Sequence, residues 1–440
     1  MAKKLGFIIV FLLCGAIQIG VGTAVAEIVP AHRSLSKYST PAANPVWRPP
    51  AVLRLLRVAT ATRRPRALPD DSPSEFSLSS GVIRQAPSIS SPSAFLLDVR
   101  TGRELFSKEA YSQRPIASTT KILTALVVME KSSPNDEVVI SANAASTGGA
   151  TIGLKQGERR KVGELLEALM LASANDAAVA LAEHVGGSVA GFARIMNETA
   201  QSLGAKNSRF MSPNGLAPGN LHYSTAEDLA RIAQAAMKKD EFRMLVSTRR
   251  YTWETTESSR PTLLTNSNNL LEKYPPATGI KTGYTNESGY CLVASATKGE
   301  RSAIAVILGS PSRDASFNDA RQLLDWALDR FEFMQVVKKS RRYGVLIKAG
   351  LSVPLVADKT WEELVYNGAD GGPVLKALIK KGVKLPITKG QRVGELAIMR
   401  LGKKVGSVGL LAGRSAADPY VAGSIQDYFR RVVKKIENLL

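Results

Sequence analysis

Apolar and polar positions first fall into a repeating pattern near Ala94. In AFLLDVRTGRELFS, residues 94–107, apolar runs flank the polar Arg100-Thr101-Gly102. That predicts a strand, a tight turn and a second strand. STTKILTALVVMEK, residues 118–131, is apolar on nearly every side and predicts a buried helix. VGELLEALMLAS and DAAVALAEHVGG predict two further helices with a break at Ser173-Ala174-Asn175. SVAGFARIMNETAQSLG and TAEDLARIAQAAMK predict amphipathic helices. TGIKTG, GYCLVASAT and SAIAVILG read as strands, and FNDARQLLDWALDRFEF as a closing helix. A strand pair, then helices, then strands and a helix predicts a layered α/β (α+β) domain over 89–335. Its sheet would join strands from both ends of that segment.

The texture changes beyond it. YGVLIKAG, SVPLVAD, VKLPIT, VGELAIMRL and KKVGSVGLLAG are short apolar runs separated by Gly and Pro. They predict a small all-β domain over 336–420, a spacer or docking module without a catalytic constellation. Residues 421–440 differ again. Ile425, Tyr428, Phe429, Val432, Val433, Ile436, Leu439 and Leu440 make one helical stripe, with Arg430, Arg431, Lys434 and Lys435 off it. Such a helix either packs on the protein or lies in a membrane surface. Its terminal position favours the membrane.

At the other end, MAKK and an apolar run precede Ala24-Val25-Ala26, the small-x-small form of a signal-peptidase site. Residues 1–26 are therefore expected to be a cleaved signal peptide. Residues 27–88 are Pro-, Ser- and Arg-rich without a sustained period and are expected to form a disordered basic spacer.

Composition sharpens this only in part. The 440 residues suit two domains plus tails, and the net charge of +20 favours anionic partners. Export disfavours nucleic acid among them and leaves an anionic membrane or wall polymer outside the cytoplasmic membrane. Removal of the leader takes Cys14 with it, so Cys291 has no internal partner and reads as a core thiol.

Candidate chemistry begins with Ser-x-x-Lys, which occurs at Ser34, Ser118 and Ser295. A serine nucleophile needs a base. Histidine is a poor candidate: His32 is in the spacer, His184 in an Ala-rich helix, and His222 in a loop without a nucleophile elbow. Three scattered His and one Cys make no metal cluster, so neither metal nor cofactor is expected. A lysine with lowered pKa can serve instead. Ser118 and Lys121 meet that need, one helical turn apart at the start of the most apolar helix. Ser34 has no buried helix behind it, and Ser295 lies in a strand, where i and i+3 point to opposite faces.

Ser-x-Asn, a relay hydroxyl plus an amide, matches at Ser133, Ser141, Ser173, Ser212, Ser267 and Ser316. Ser173 and Asn175 stand out because they interrupt two apolar helices. Lys-Thr-Gly occurs once, on a predicted strand: Lys281 adds charge, Thr282 a hydroxyl for a carboxylate, and Gly283 room for a substrate backbone.

TTKILTA after Ser118, SANDAAVALAEHV, SPNGL, HYSTAEDLARIA, TGIKTGYT and GYCLVASAT together resemble the serine D-alanyl-D-alanine carboxypeptidases, the low-molecular-mass penicillin-binding proteins. The likeness runs over about 90–335, resumes at LPITKGQRVGEL, and extends to the terminal helix as a membrane anchor. It implies a penicillin-recognising domain with an antiparallel sheet flanked by helices. It also implies cleavage of the terminal D-Ala from peptidoglycan stem peptides through an acyl-enzyme on Ser118, with β-lactams as covalent inhibitors. Lys121 would be the base and Asn175 would orient it. Ser173 and Lys281 would protonate the leaving group. The N–H groups of Ser118 and Tyr284 would form the oxyanion hole. Thr282 would meet the substrate carboxylate, with Arg313 near it.

One departure matters. The family pattern S-R-D-x-R-F reads SRDASF here, so Ser316 stands where an arginine is expected, and carboxypeptidase against endopeptidase preference depends on what replaces it. A class A-like β-lactamase would need a deacylating glutamate, and Glu198 falls on an amphipathic helix. A wall-binding scaffold would not need the intact motif set.

Overall fold

The computed structural model describes residues 86–216, 221–254, 262–366, 372–400 and 402–437. The expected signal peptide and all but the last residues of the spacer lie outside them.

β1 (Ser93–Asp98) and β2 (Glu104–Lys108) form the predicted hairpin. A 3-10 turn over Ala117–Thr120 then runs into α1 (Lys121–Lys131). This differs from the single helix expected from Ser118 onward. Thr119 and Thr120 donate their hydroxyls back to the Ile116 and Ala117 carbonyls, an alternative to helical pairing that tightens the turn. A short ladder of β3 (Glu137–Val139) and β4 (Arg159–Lys161) brackets α2 (Ala142–Ala145). Next come α3 (Val162–Leu171), α4 (Asn175–Gly186), α5 (Val189–Ser202), α6 (Ala226–Ala236) and α7 (Asp240–Ser247). β5 (Arg250–Trp253) pairs with β6 (Thr262–Thr265) ahead of α8 (Leu270–Lys273). β7 (Ala277–Thr285), β8 (Gly289–Lys298), β9 (Arg301–Ser310) and α9 (Arg313–Arg330) follow.

The five-stranded sheet has the order β2-β1-β9-β8-β7, all antiparallel. Pairing of β1 with β9, Phe95 opposite Val306, joins the two ends of the domain as the element order predicts. Alternation explains why β9 reads as an unbroken apolar run. Ile304, Val306 and Leu308 face one core with α1 and the helices after it. Ala303, Ala305 and Ile307 face a second core with Leu323, Leu324 and Trp326 of α9. Both faces are covered, so neither can be polar.

The closing helix stops at Arg330, three residues short of the reading. Phe331 starts β10 (Phe331–Val337), buried edge-on against Trp326 and Tyr366. Then come β11 (Arg342–Lys348), β12 (Leu351–Ala357), β13 (Trp361–Tyr366), β14 (Val374–Ile379), β15 (Arg392–Arg400) and β16 (Lys403–Ala412). β10 pairs with β13, and the others form a sheet ordered β11-β12-β16-β15-β14 around its own apolar cluster. VKLPIT is not a ladder strand. Pro386 has no N–H to give, Ile387 makes a single bridge to Ala416, and the edge position goes to β14.

α10 (Pro419–Glu437) ends the described chain. Ile425, Tyr428, Phe429 and Val433 are exposed on it, while Val432 and Ile436 are half-buried. Among the described residues no helix is long and apolar enough to cross a membrane.

Candidate active site

The sequence ASTTK folds so that Lys121 lies entirely inside the protein and Ser118 is half-buried beside it. Lys121 Nζ donates to Ser118 Oγ at 2.9 Å, to Asn175 Oδ1 at 2.7 Å and to the Asn214 carbonyl at 3.2 Å. Three acceptors thus fix the amine. Burial, and then the facing charge of Lys281, hold its pKa well below the usual lysine range. The Asp176 carboxylate opposes this with a smaller pull. Once deprotonated, the amine keeps two N–H groups for Asn175 and the Asn214 carbonyl and turns its lone pair to the serine hydroxyl, a base within reach of its proton.

Asn175 opens α4. Its Nδ2 donates to Gly148 O at 2.9 Å and its own N–H to Ala150 O at 2.7 Å. Asp176 beside it accepts from the N–H groups of Ile152, Gly153 and Leu154 at 3.0–3.1 Å. The 148–154 loop is therefore clamped to the same corner that aims Asn175 at Lys121. Ser173, two residues earlier, sits at φ +60°, the left-handed region uncommon for serine.

β7 is an edge strand of the sheet and carries Lys281, Thr282 and Gly283 past the nucleophile turn. Lys281 is buried, which pushes its amine down to about 7. Gly283 is also constrained from inside the protein. A Cβ there would lie 2.9 Å from Ser118 N and 3.1 Å from Thr119 N, so the missing side chain makes room for the enzyme's own turn. Tyr284 is exposed, and its ring lies 4.4 Å from that of Tyr290.

Thr282 Oγ1 lies 2.7 Å from Ser267 Oγ, and Arg313 donates to the Ser267 carbonyl at 2.8 Å. A guanidinium therefore stands one residue from the Lys-Thr-Gly strand. Ser316 is buried and donates to the Arg313 carbonyl at 2.6 Å, inside the first turn of α9. No charge replaces the expected arginine at that position.

Of the two rival Ser-x-x-Lys pairs, the one at Ser295 falls within the described residues. Ser295 Oγ lies 2.8 Å from Thr278 Oγ1, while Lys298 pairs with Asp329 at 2.8 Å, so strand alternation separates them as expected. Ser34 lies outside the described residues. Glu198 is exposed on α5.

Sequence reasoning missed four contributors. Asn214 belongs to a dismissed Ser-x-Asn match, yet it acts through its carbonyl, which any residue has. Gly215, Ser267 and His222 also escaped, and only SPNGL and HYST, quoted above for their family likeness, pointed to three of the four. His222 is buried, its Nε2 2.8 Å from Thr120 Oγ1 and its Nδ1 3.1 Å from Met211 N.

Comparison with known proteins agrees with this geometry. A family model described as D-alanyl-D-alanine carboxypeptidase matches residues 80–312. The D-alanyl-D-alanine carboxypeptidase DacF of Bacillus subtilis is 35% identical over 342 residues, 76% of this chain and 87% of DacF. Penicillin-binding protein 5 of Haemophilus influenzae superposes with a TM-score of 0.62 at 27% identity, covering 76% of this chain and 99% of that one. The Streptomyces K15 DD-transpeptidase structure covers 55% of this chain and 98% of its own, with a TM-score of 0.52 and 36% identity. With a buried lysine bonded to the serine of its only described Ser-x-x-Lys helix turn, the chain belongs to the D-alanyl-D-alanine carboxypeptidase family of serine peptidases.

Proposed function

We propose that this protein removes the terminal D-Ala from peptidoglycan stem peptides through an acyl-enzyme on Ser118. The observation that carries the reading is the contact of the buried Lys121 amine with Ser118 Oγ at 2.9 Å. Lys121 takes the hydroxyl proton as Ser118 attacks the penultimate carbonyl. Asn175 holds the amine toward the serine. The N–H groups of Ser118 and Tyr284 stabilise the oxyanion. Ser173 and Lys281 return a proton to the departing D-Ala nitrogen, and water then cleaves the ester. Thr282 and Arg313 bind the free carboxylate, a role supported by the Arg313–Ser267–Thr282 contacts. That arrangement favours carboxypeptidase over endopeptidase action. β-Lactams acylate the same serine.

The purified protein is expected to release one free D-Ala per stem pentapeptide, with the transient ester on the peptide containing Ser118. Internal cross-link cleavage without D-Ala release would overturn the reading.

We also propose residues 1–26 as a cleaved leader, 27–88 as a spacer, 89–335 as the catalytic domain and 336–420 as a β-domain. Residues 421–440 would anchor the exported protein on an anionic membrane face. The exposed Ile425, Tyr428, Phe429 and Val433 support the last point. Truncation before Ser424 is expected to abolish co-sedimentation with anionic vesicles; unchanged sedimentation excludes the anchor.

A further inference from the structure

We propose that His222 is a positioning residue for the nucleophile, holding the turn that presents Ser118 through a directional relay of hydrogen bonds. The inference rests on Ser118 being the nucleophile. It starts from the Met211 N–H, which can only donate, and which points at His222 Nδ1 at 3.1 Å. Nδ1 is therefore the bare nitrogen and Nε2 carries the proton. Nε2–H then donates to Thr120 Oγ1 at 2.8 Å. The hydroxyl has one proton, which goes to the Ala117 carbonyl at 2.8 Å. Each group in the chain has one direction available, and the last acceptor is the residue before Ser118.

That last residue needs holding. Ala117 has φ +47°, a left-handed conformation that alanine rarely adopts. Released, the turn relaxes and shifts Ser118 relative to Lys121. Burial keeps the imidazole neutral, pushed down to about 4, which preserves Nδ1 as an acceptor. The same two segments are stitched beyond the relay: Thr124 donates to the Pro213 carbonyl at 2.6 Å and Lys121 to that of Asn214. His222 itself bonds none of Lys281, Thr282 or Tyr284 in the contacts described here. Its loss should therefore fall on the rate of acylation and not on binding.

Stopped-flow acylation of the full chain by a fluorescent penicillin tests this. His222→Phe and Thr120→Val should each lower the limiting acylation rate constant about tenfold, the worth of one net hydrogen bond. The pre-covalent dissociation constant should move by less than about twofold. Thr120→Ser should recover most of the rate. The double variant should be no slower than either single one, because both break one relay. Single variants at the wild-type rate, a multiplicative loss of about a hundredfold, or a loss seen only in binding would overturn the relay. If His222→Phe does not fold, Thr120→Val against Thr120→Ser decides alone. Ser118→Ala separates the two readings: if it still labels, Ser118 is not the nucleophile; if it does not, relay variants at the wild-type rate sink only the relay.

Discussion

Lys121→Met is expected to slow penicillin acylation of Ser118 about 10³-fold while leaving the protein folded. Methionine fills nearly the same volume but cannot take the proton of the hydroxyl whose Oγ lies 2.9 Å from the amine. Nothing else in the described contacts of Ser118 Oγ offers a base. Stability should change by only about 1 kcal/mol, because losing the bonds to Asn175 and Asn214 is offset by no longer burying an amine. The pH profile adds a second readout. Lysine accepts a proton only when neutral, so wild-type acylation should rise with pH through a pKa below the usual lysine range and level off above it. Lys121→Met should lack that limb. Labelling within about tenfold of wild type, measured with a fluorescent penicillin beside a thermal melt, would place the base elsewhere.

Gly215→Ala should destabilise the protein by about 3 kcal/mol and displace the nucleophile turn. Its φ is +86°, and a Cβ would fall 2.0 Å from Ala117 O and 2.9 Å from Thr120 Oγ1. The first contact is with backbone, which cannot swing aside. Gly153→Ala is the matching control, since Gly153 has φ +78° and nothing within 4 Å of a built Cβ. It should lose only the conformational part, about 1 kcal/mol, and label normally. Equal losses in denaturant unfolding, with equal labelling, would mean the close approach of Gly215 to Ala117 is unimportant.

The first prediction turns on a contact within one turn of backbone and the second on a contact between segments far apart in sequence, and that marks the line between what was legible and what was not. Alternation and helical spacing identified the main strands and helices of the catalytic region, because burial on one or both faces writes itself into local period. The same local rule paired Ser118 with Lys121 and rejected Ser295, since i and i+3 meet on a helical turn and part on a strand. Boundaries were less legible. The helix after Arg313 yields to a strand at Phe331 because that ring has a pocket between Trp326 and Tyr366, and no local pattern announces a pocket.

Residue type and local period were enough to single out Ser118, Lys121, Ser173, Asn175 and Lys281 and to predict a layered region around them. What these groups touch depends on how distant segments pack. Lys121 meets Asn175 and the Asn214 carbonyl across 54 and 93 positions of chain. Gly283 lies against the Ser118 turn, and His222 meets the Thr120 hydroxyl. Residue type and spacing encode which chemistry is available within one turn of backbone. Which carbonyl, imidazole or bare Cα closes on that turn is set by how the sheet and helices pack, and packing distances have no local signature.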